Sequence, residues 1–246
     1  MDCEDRGMTT DLLNPTILLI PGHWLGAWAW DDVLDHLTGM GRRAVPITLP
    51  GLVGEDPERA SRTLEDQTAA IEQAVAGETG PVIIVAHSGA NAPVSLVLDR
   101  HPHLIRRVVW VDSGPVSSGT VFAPGANMEE LPLPPYEVLG QQASLEGLSA
   151  GVLERFRARA VPEPGPVLRE PVELSNEARY KVPATIVCCS LPSTQMMELA
   201  SSGNPMFAEV ARLGNLDLID LPTGHWPMWS RPAGLAAVIA EASQAS

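Results

Sequence analysis

Six short apolar runs, rich in β-branched residues, alternate along the chain with stretches whose apolar positions recur three and four apart. The runs are Ile17–Ile20, Ala44–Leu49, Val82–Ala86, Val108–Val111, Ala184–Cys189 and Leu216–Leu221. Most are apolar at successive positions, as strands buried on both faces of a parallel sheet must be. Helical spacing fills the gaps. Trp30–Leu37 places Trp30, Val33, Leu34 and Leu37 on one face and ends near Gly39. Leu64–Val75 follows Thr63, with Asp66 three residues on in a capping-box arrangement, and stops at Gly77. Ala92–Leu98, Gln195–Leu199, Pro205–Leu213 and Arg231–Ala242 complete the set. Strands alternating with helices predict an α/β fold with a doubly wound, mostly parallel six-stranded sheet.

One interval breaks the rhythm. Between the fourth and fifth runs, residues 115–182 hold two proline-rich stretches, Leu131–Tyr136 and Pro162–Pro166, that exclude regular helix. Ser149–Ala160 between them has helical spacing at Val152, Leu153, Phe156 and Ala160. The organisation expected is therefore a leader over 1–15, an α/β core over 16–114 and 183–246, and an inserted helical lid over 115–182. Such an insertion falls at the carboxyl edge of the sheet, where α/β folds bind ligands. A purely decorative surface insertion is the alternative.

Composition narrows the classes. The chain has 246 residues and a formal net charge of −14, which argues against nucleic-acid and anionic-membrane partners. The longest apolar runs are strand-sized, so no membrane span is expected. The first residues are acidic and carry no apolar segment of signal-peptide type, and read as a disordered leader. Of the three cysteines, Cys3 lies in that leader while Cys188 and Cys189 are adjacent. That predicts no disulfide and a reducing, cytoplasmic setting. No His or Cys cluster has metal-site spacing, so neither metal nor cofactor is called for. Nothing in the composition sets the oligomeric state.

The chemistry starts at Ser88. Val82–Val85 leads into Ala86-His87-Ser88-Gly89-Ala90, and a helix-compatible segment follows. Small-x-Ser-x-small between a strand and a helix is the layout of a nucleophile elbow, here with alanines where glycines are usual. A serine held on such a strained turn attacks a carbonyl when a base reaches it. His225, between the last strand and the last helix, is the base on this reading, while His87 packs. The orienting acid is expected at Asp112, which ends the fourth strand and points into the same cleft. Asp217 and Asp220, inside the last strand, are poorer placed, and a Ser–His pair without an acid is the remaining alternative. Oxyanion donors are expected from the backbone N–H of Gly89 and of His23, in the loop after the first strand. Whether the His23 side chain also lines the pocket is open. Trp24, Tyr136, Phe156, Met196 and Trp226 either line an apolar substrate pocket or dock the lid on the core.

With these residues assembled, the chain resembles the α/β-hydrolase superfamily over nearly all of its length after Pro15. The closest likeness is to the plant-type methylesterase and hydroxynitrile lyase branch, whose H-G-x-W-x-G-A-W-x-W signature matches Pro21–Trp30 with Pro21 replacing the histidine. The resemblance implies a lid, a Ser–Asp–His triad, and oxyanion N–H groups from His23 and Gly89. The lyases of this branch use a threonine and a lysine where this chain has Gly22 and Trp226, which disfavours their mechanism. Relatives that dehalogenate or open epoxides carry aspartate at the nucleophile, unlike Ser88. The acid's customary place, after the fifth strand, reads Cys188-Cys189-Ser190-Leu191-Pro192-Ser193 and holds no carboxylate.

The function expected is hydrolysis of a carboxylic ester or lactone of a small, largely apolar molecule through an acyl-enzyme. A non-catalytic ligand-binding protein on the same fold is the alternative, as is a cofactor-free lyase, cyclase or oxygenase.

Overall fold

A computed structural model of the chain describes residues 14–125 and 127–245. The strands are β1 (Ile17–Ile20), β2 (Ala44–Pro46), β3 (Val82–His87), β4 (Ile105–Val111), β5 (Glu130–Leu131), β6 (Glu163–Pro164), β7 (Ala184–Cys188) and β8 (Leu216–Asp220). The α-helices are α1 (Asp31–Gly39), α2 (Leu64–Ala76), α3 (Asn91–Arg100), α4 (Tyr136–Gln142), α5 (Ala150–Arg159), α6 (Gly165–Arg169), α7 (Ser193–Ser201), α8 (Pro227–Ser230) and α9 (Pro232–Ala242). Six strands form one parallel sheet in the order β2-β1-β3-β4-β7-β8. This is the predicted doubly wound sheet.

Successive residues of each central strand feed opposite cores. Ile17 and Leu19 of β1 join Val33, Leu37, Leu235 and Ile239 of α1 and α9 on one face. Leu18 and Ile20 join Ile71, Val94, Val97 and Met196 of α2, α3 and α7 on the other. Fully burying each such Ile, Leu or Val contributes roughly 1.5–3 kcal/mol. The capping box at α2 forms as expected: Asp66 N–H donates to Thr63 Oγ1, and Thr63 N–H donates to Asp66.

Several elements differ from the sequence reading. Strand β4 begins at Ile105, ahead of Val108, because Arg107 lies inside the sheet, donating to Asp217 at 2.6 Å and to Thr185 Oγ1 at 2.9 Å. Strand β2 ends at Pro46, at the sheet's edge. Pro205–Leu213 is two 3-10 turns, Pro205–Phe207 and Val210–Arg212. The stretch through Pro166 does enter a helix, since Pro166 stands in the first turn of α6, where no N–H is needed.

The leader reading over 1–13, with Cys3, lies outside the described residues. Asn14 and Pro15, assigned to the same leader, belong to the packed structure: Asn14 bonds to Gly41 and Arg42, and Pro15 is buried. Cys188 and Cys189 are buried free thiols. Among the described residues no helix is long and apolar enough to cross a membrane.

The segment between β4 and β7 carries the antiparallel β5–β6 pair and helices α4, α5 and α6. It is fastened to the sheet's carboxyl edge. Val161 N–H donates to Trp24 O, and Trp24 Nε1 donates to Leu131 O. His225 N–H donates to Ser144 O at 2.8 Å, and Gly224 N–H donates to Glu146 O.

Candidate active site

Register brings the site together. Ala86 pairs with Trp110 and His87 with Val111, so Ser88 and Asp112 leave β3 and β4 side by side. Val111 pairs with Val187, which puts Cys189 and Ser190 over the same edge. Ser88 (φ 51°), Asp112 (φ 44°) and Trp24 (φ 66°) are the non-glycine residues with positive φ among the described residues. All three stand at this edge. Such backbone costs of order 1–3 kcal/mol per residue and clusters where the surrounding fold forces it.

Ser88 Oγ lies 2.7 Å from His225 Nε2, and His225 Nδ1 lies 2.6 Å from Asp112 Oδ2. The carboxylate accepts a hydrogen bond from Nδ1–H, which leaves Nε2 as the acceptor for the serine hydroxyl. Asp112 is itself held. Its Oδ1 accepts N–H bonds from Cys189 (3.1 Å) and Ser190 (2.8 Å), and its Oδ2 accepts the Ser190 hydroxyl at 2.6 Å. Burial works to raise its pKa, but the His225 bond and charge and the Ser190 donors outweigh this and hold the carboxyl below its usual range. Asp217 and Asp220 are engaged elsewhere, with Arg107 and Ser193 respectively.

His87, read from the sequence as packing, completes the frame with Ser113 and Ser190. His87 is buried and donates Nε2–H to the carbonyl of His225 at 2.7 Å, pinning the loop that carries the base. Burial, with the neighbouring His225 charge, pushes its pKa down to about 3, so it stays neutral. Ser113 Oγ donates to Ser88 O at 2.9 Å. Ser190 sits where the customary acid is missing and serves the carboxylate from the adjacent strand. Only the coincidence of Ser190 with that position hinted at its part.

Gly22 and Gly89 set the other wall. A Cβ at Gly22 would stand 2.8 Å from Ser88 Cβ and 2.9 Å from His87 O, so only glycine lets the His23 loop close onto the serine. A Cβ at Gly89 would collide with the His23 ring at Nε2. The His23 loop and Gly89 thus pack closely beside Ser88.

The five predicted pocket residues divide. Trp226 packs edge-on against His225, ring centroids 4.9 Å apart. Tyr136 is partly buried, with its hydroxyl bonded to Leu153 O. Trp24 and Phe156 are core residues, Phe156 lying between Trp226, Trp229 and Tyr136. Met196 belongs to the core on the opposite face of the sheet, with Ile186 and Val210. For Met196 this is the core-packing alternative of the two. Among the described residues no group of three His, Cys, Asp or Glu side chains could hold a metal ion.

Residues 17–238 match the alpha/beta hydrolase family, and the chain belongs to it. A curated relative, "Probable hydrolase R7" of a Phoma species, is 25% identical over 244 residues, covering 94% of this chain and 98% of its own. The fold is shared with an extracellular alpha/beta-hydrolase from a Paenibacillus species (TM-score 0.74, 19% identity, 93% of this chain and 98% of that one). It is also shared with a methylesterase from Arabidopsis (TM-score 0.69, 18% identity, 93% and 98%).

Proposed function

We propose that this chain is a serine esterase that cleaves a carboxylic ester or lactone of a small, largely apolar molecule through an acyl-enzyme. The observation that carries the reading is the continuous chain of hydrogen bonds from Ser88 Oγ through His225 to Asp112, at 2.7 and 2.6 Å.

Ser88 Oγ attacks the carbonyl carbon while its proton passes to His225 Nε2. The negative charge that develops on the carbonyl oxygen is met by the N–H groups of His23 and Gly89. Each such donor contributes on the order of 3 kcal/mol in comparable sites. The ester C–O bond then breaks, and His225 returns the proton to the departing alcohol. Water, deprotonated by the same imidazole, attacks the acyl-enzyme and releases the acid and Ser88. Asp112 holds the imidazole in the required tautomer and stabilises its charged form. The segment over 115–182 acts as the lid, and its carbonyls at Ser144 and Glu146 tie it to the His225 loop.

The Asp112–His225 bond favours this reading over a non-catalytic binding protein, which has no use for an oriented base beside a strained serine. The curated hydrolase and the methylesterase neighbour support the same class of reaction. The test is Ser88→Ala assayed against short p-nitrophenyl esters. Turnover is expected to fall to background in a folded variant, and undiminished turnover would overturn the reading.

A further inference from the structure

The His23 side chain is built into a second histidine–carboxylate pair. Its Nδ1 lies 3.1 Å from Oε2 of Glu163, which is 1% exposed. Glu163 comes from β6, in the segment between β4 and β7, far along the chain from His23. It is fixed there by Gln67 Nε2 of α2, which donates to Oε1 at 3.1 Å, and by Trp24 N–H, which donates to Oε2 at 3.4 Å. Two distant elements, β6 and α2, thus converge with the His23 loop to fix one carboxylate against the imidazole.

The other ring nitrogen is what the arrangement presents. His23 Nε2 is buried, has no hydrogen-bond partner, and lies against Gly89, next to Ser88. In the neutral imidazole whose Nδ1–H donates to the carboxylate, Nε2 carries a lone pair and accepts. A buried acceptor left unpaired is costly, and a donor brought to it is correspondingly favoured. The Phe122 ring stands edge-to-face over this imidazole, centroids 4.5 Å apart. Phe122 is itself 58% exposed, so little packing holds its outer side.

We propose that His23 and Glu163 form a recognition site for a hydroxyl group on the acyl part of the substrate, which displaces Phe122 and donates its hydrogen bond to His23 Nε2. The acyl half is assigned from the positions of the two imidazoles. His225 hands its proton to the alcohol, so the alcohol leaves on the His225 side. The His23 ring packs against Gly89, the residue after Ser88, and is assigned to the half of the substrate that stays on Ser88. His23 binds substrate, and Glu163 is a positioning residue that fixes its tautomer. The proposal rests on the reading of Ser88 as the nucleophile.

The test compares kcat/KM for the methyl esters of 2-hydroxybutanoic and 3-hydroxybutanoic acid with methyl butanoate and the O-methylated counterparts, in a pH-stat. For the wild type, at least one hydroxy ester is expected to exceed both its comparators by about tenfold or more. In His23→Phe that ratio is expected to fall to near one. Glu163→Gln is expected to lower it as well, because the amide can donate to Nδ1 and move the proton to Nε2. The O-methyl comparison needs no variant, so poor folding of either mutant leaves the test intact. Turnover of all the esters without discrimination by the wild type overturns this proposal alone, as does an unchanged ratio in folded His23→Phe. No turnover of any ester overturns the Ser88 reading and this proposal with it.

Discussion

Replacing Asp112 with asparagine tests the acid with little steric disturbance. Asparagine is isosteric and tolerates the positive φ of 44° that this position requires. The two carboxylate oxygens do different jobs. Oδ1 faces two backbone donors, the N–H groups of Cys189 and Ser190, while Oδ2 faces His225 Nδ1 and the rotatable hydroxyl of Ser190. In Asp112→Asn the amide oxygen therefore takes the Oδ1 place, and the NH2 group is driven toward His225. It then donates to Nδ1, the imidazole proton moves to Nε2, and Nε2 confronts Ser88 as a donor. The base is lost without any atom being displaced. A wrong-tautomer change of this kind lowers kcat about 10⁴-fold in an analogous Ser–His–Asp system, or about 5 kcal/mol of transition-state stabilisation. The assay is kcat/KM on p-nitrophenyl acetate, with circular dichroism to establish folding. A folded Asp112→Asn within tenfold of wild type would refute the role given to Asp112.

Other consequences follow from the same geometry. Gly22→Ala forces a Cβ against Ser88 Cβ and His87 O; it is expected to cut kcat at least a hundredfold and to cost about 1–3 kcal/mol in urea unfolding. His87 is neutral when folded, with a pKa near 3, and titrates near 6.5 when unfolded, so the unfolded chain binds the extra proton as pH falls. Its stabilisation is complete above about pH 6.5 and is lost progressively toward pH 3. His87→Gln, which can still donate to His225 O, should flatten the stability profile over that window, and an unchanged profile would count against the assignment. Depressed Asp112 works in the same direction at lower pH: its contribution is present above the unfolded carboxylate pKa and disappears as pH falls through the folded one.

How far the sequence disclosed this structure depends on whether the determining contact is local. Strands β1, β3 and β7 are legible because burial on both faces demands unbroken apolar runs. The first half of β4 is hidden because Arg107 is neutralised by Asp217, a partner on another strand. Ser88 and His225 announce themselves through short motifs at strand ends. Asp112 could be chosen only by strand order, and Ser190, which secures it, is marked only by its place where the customary acid is missing. An apolar stripe on a helix does not say which layer it faces, and the core place of Met196 emerges only with the fold. The His23–Glu163 pair was out of reach, since a glutamate in a proline-rich stretch looks like any surface carboxylate until the fold buries it.

The central claim is that Ser88 carries the acyl group. Stopped-flow mixing with excess p-nitrophenyl acetate, followed by acid quench and peptide mass spectrometry, tests it directly. A burst of about one equivalent of p-nitrophenol per chain is predicted, with the acetyl group on the peptide containing Ser88 and absent from Ser88→Ala. Steady turnover by the wild type with the acyl group on another residue, or an undiminished burst from Ser88→Ala, would contradict it.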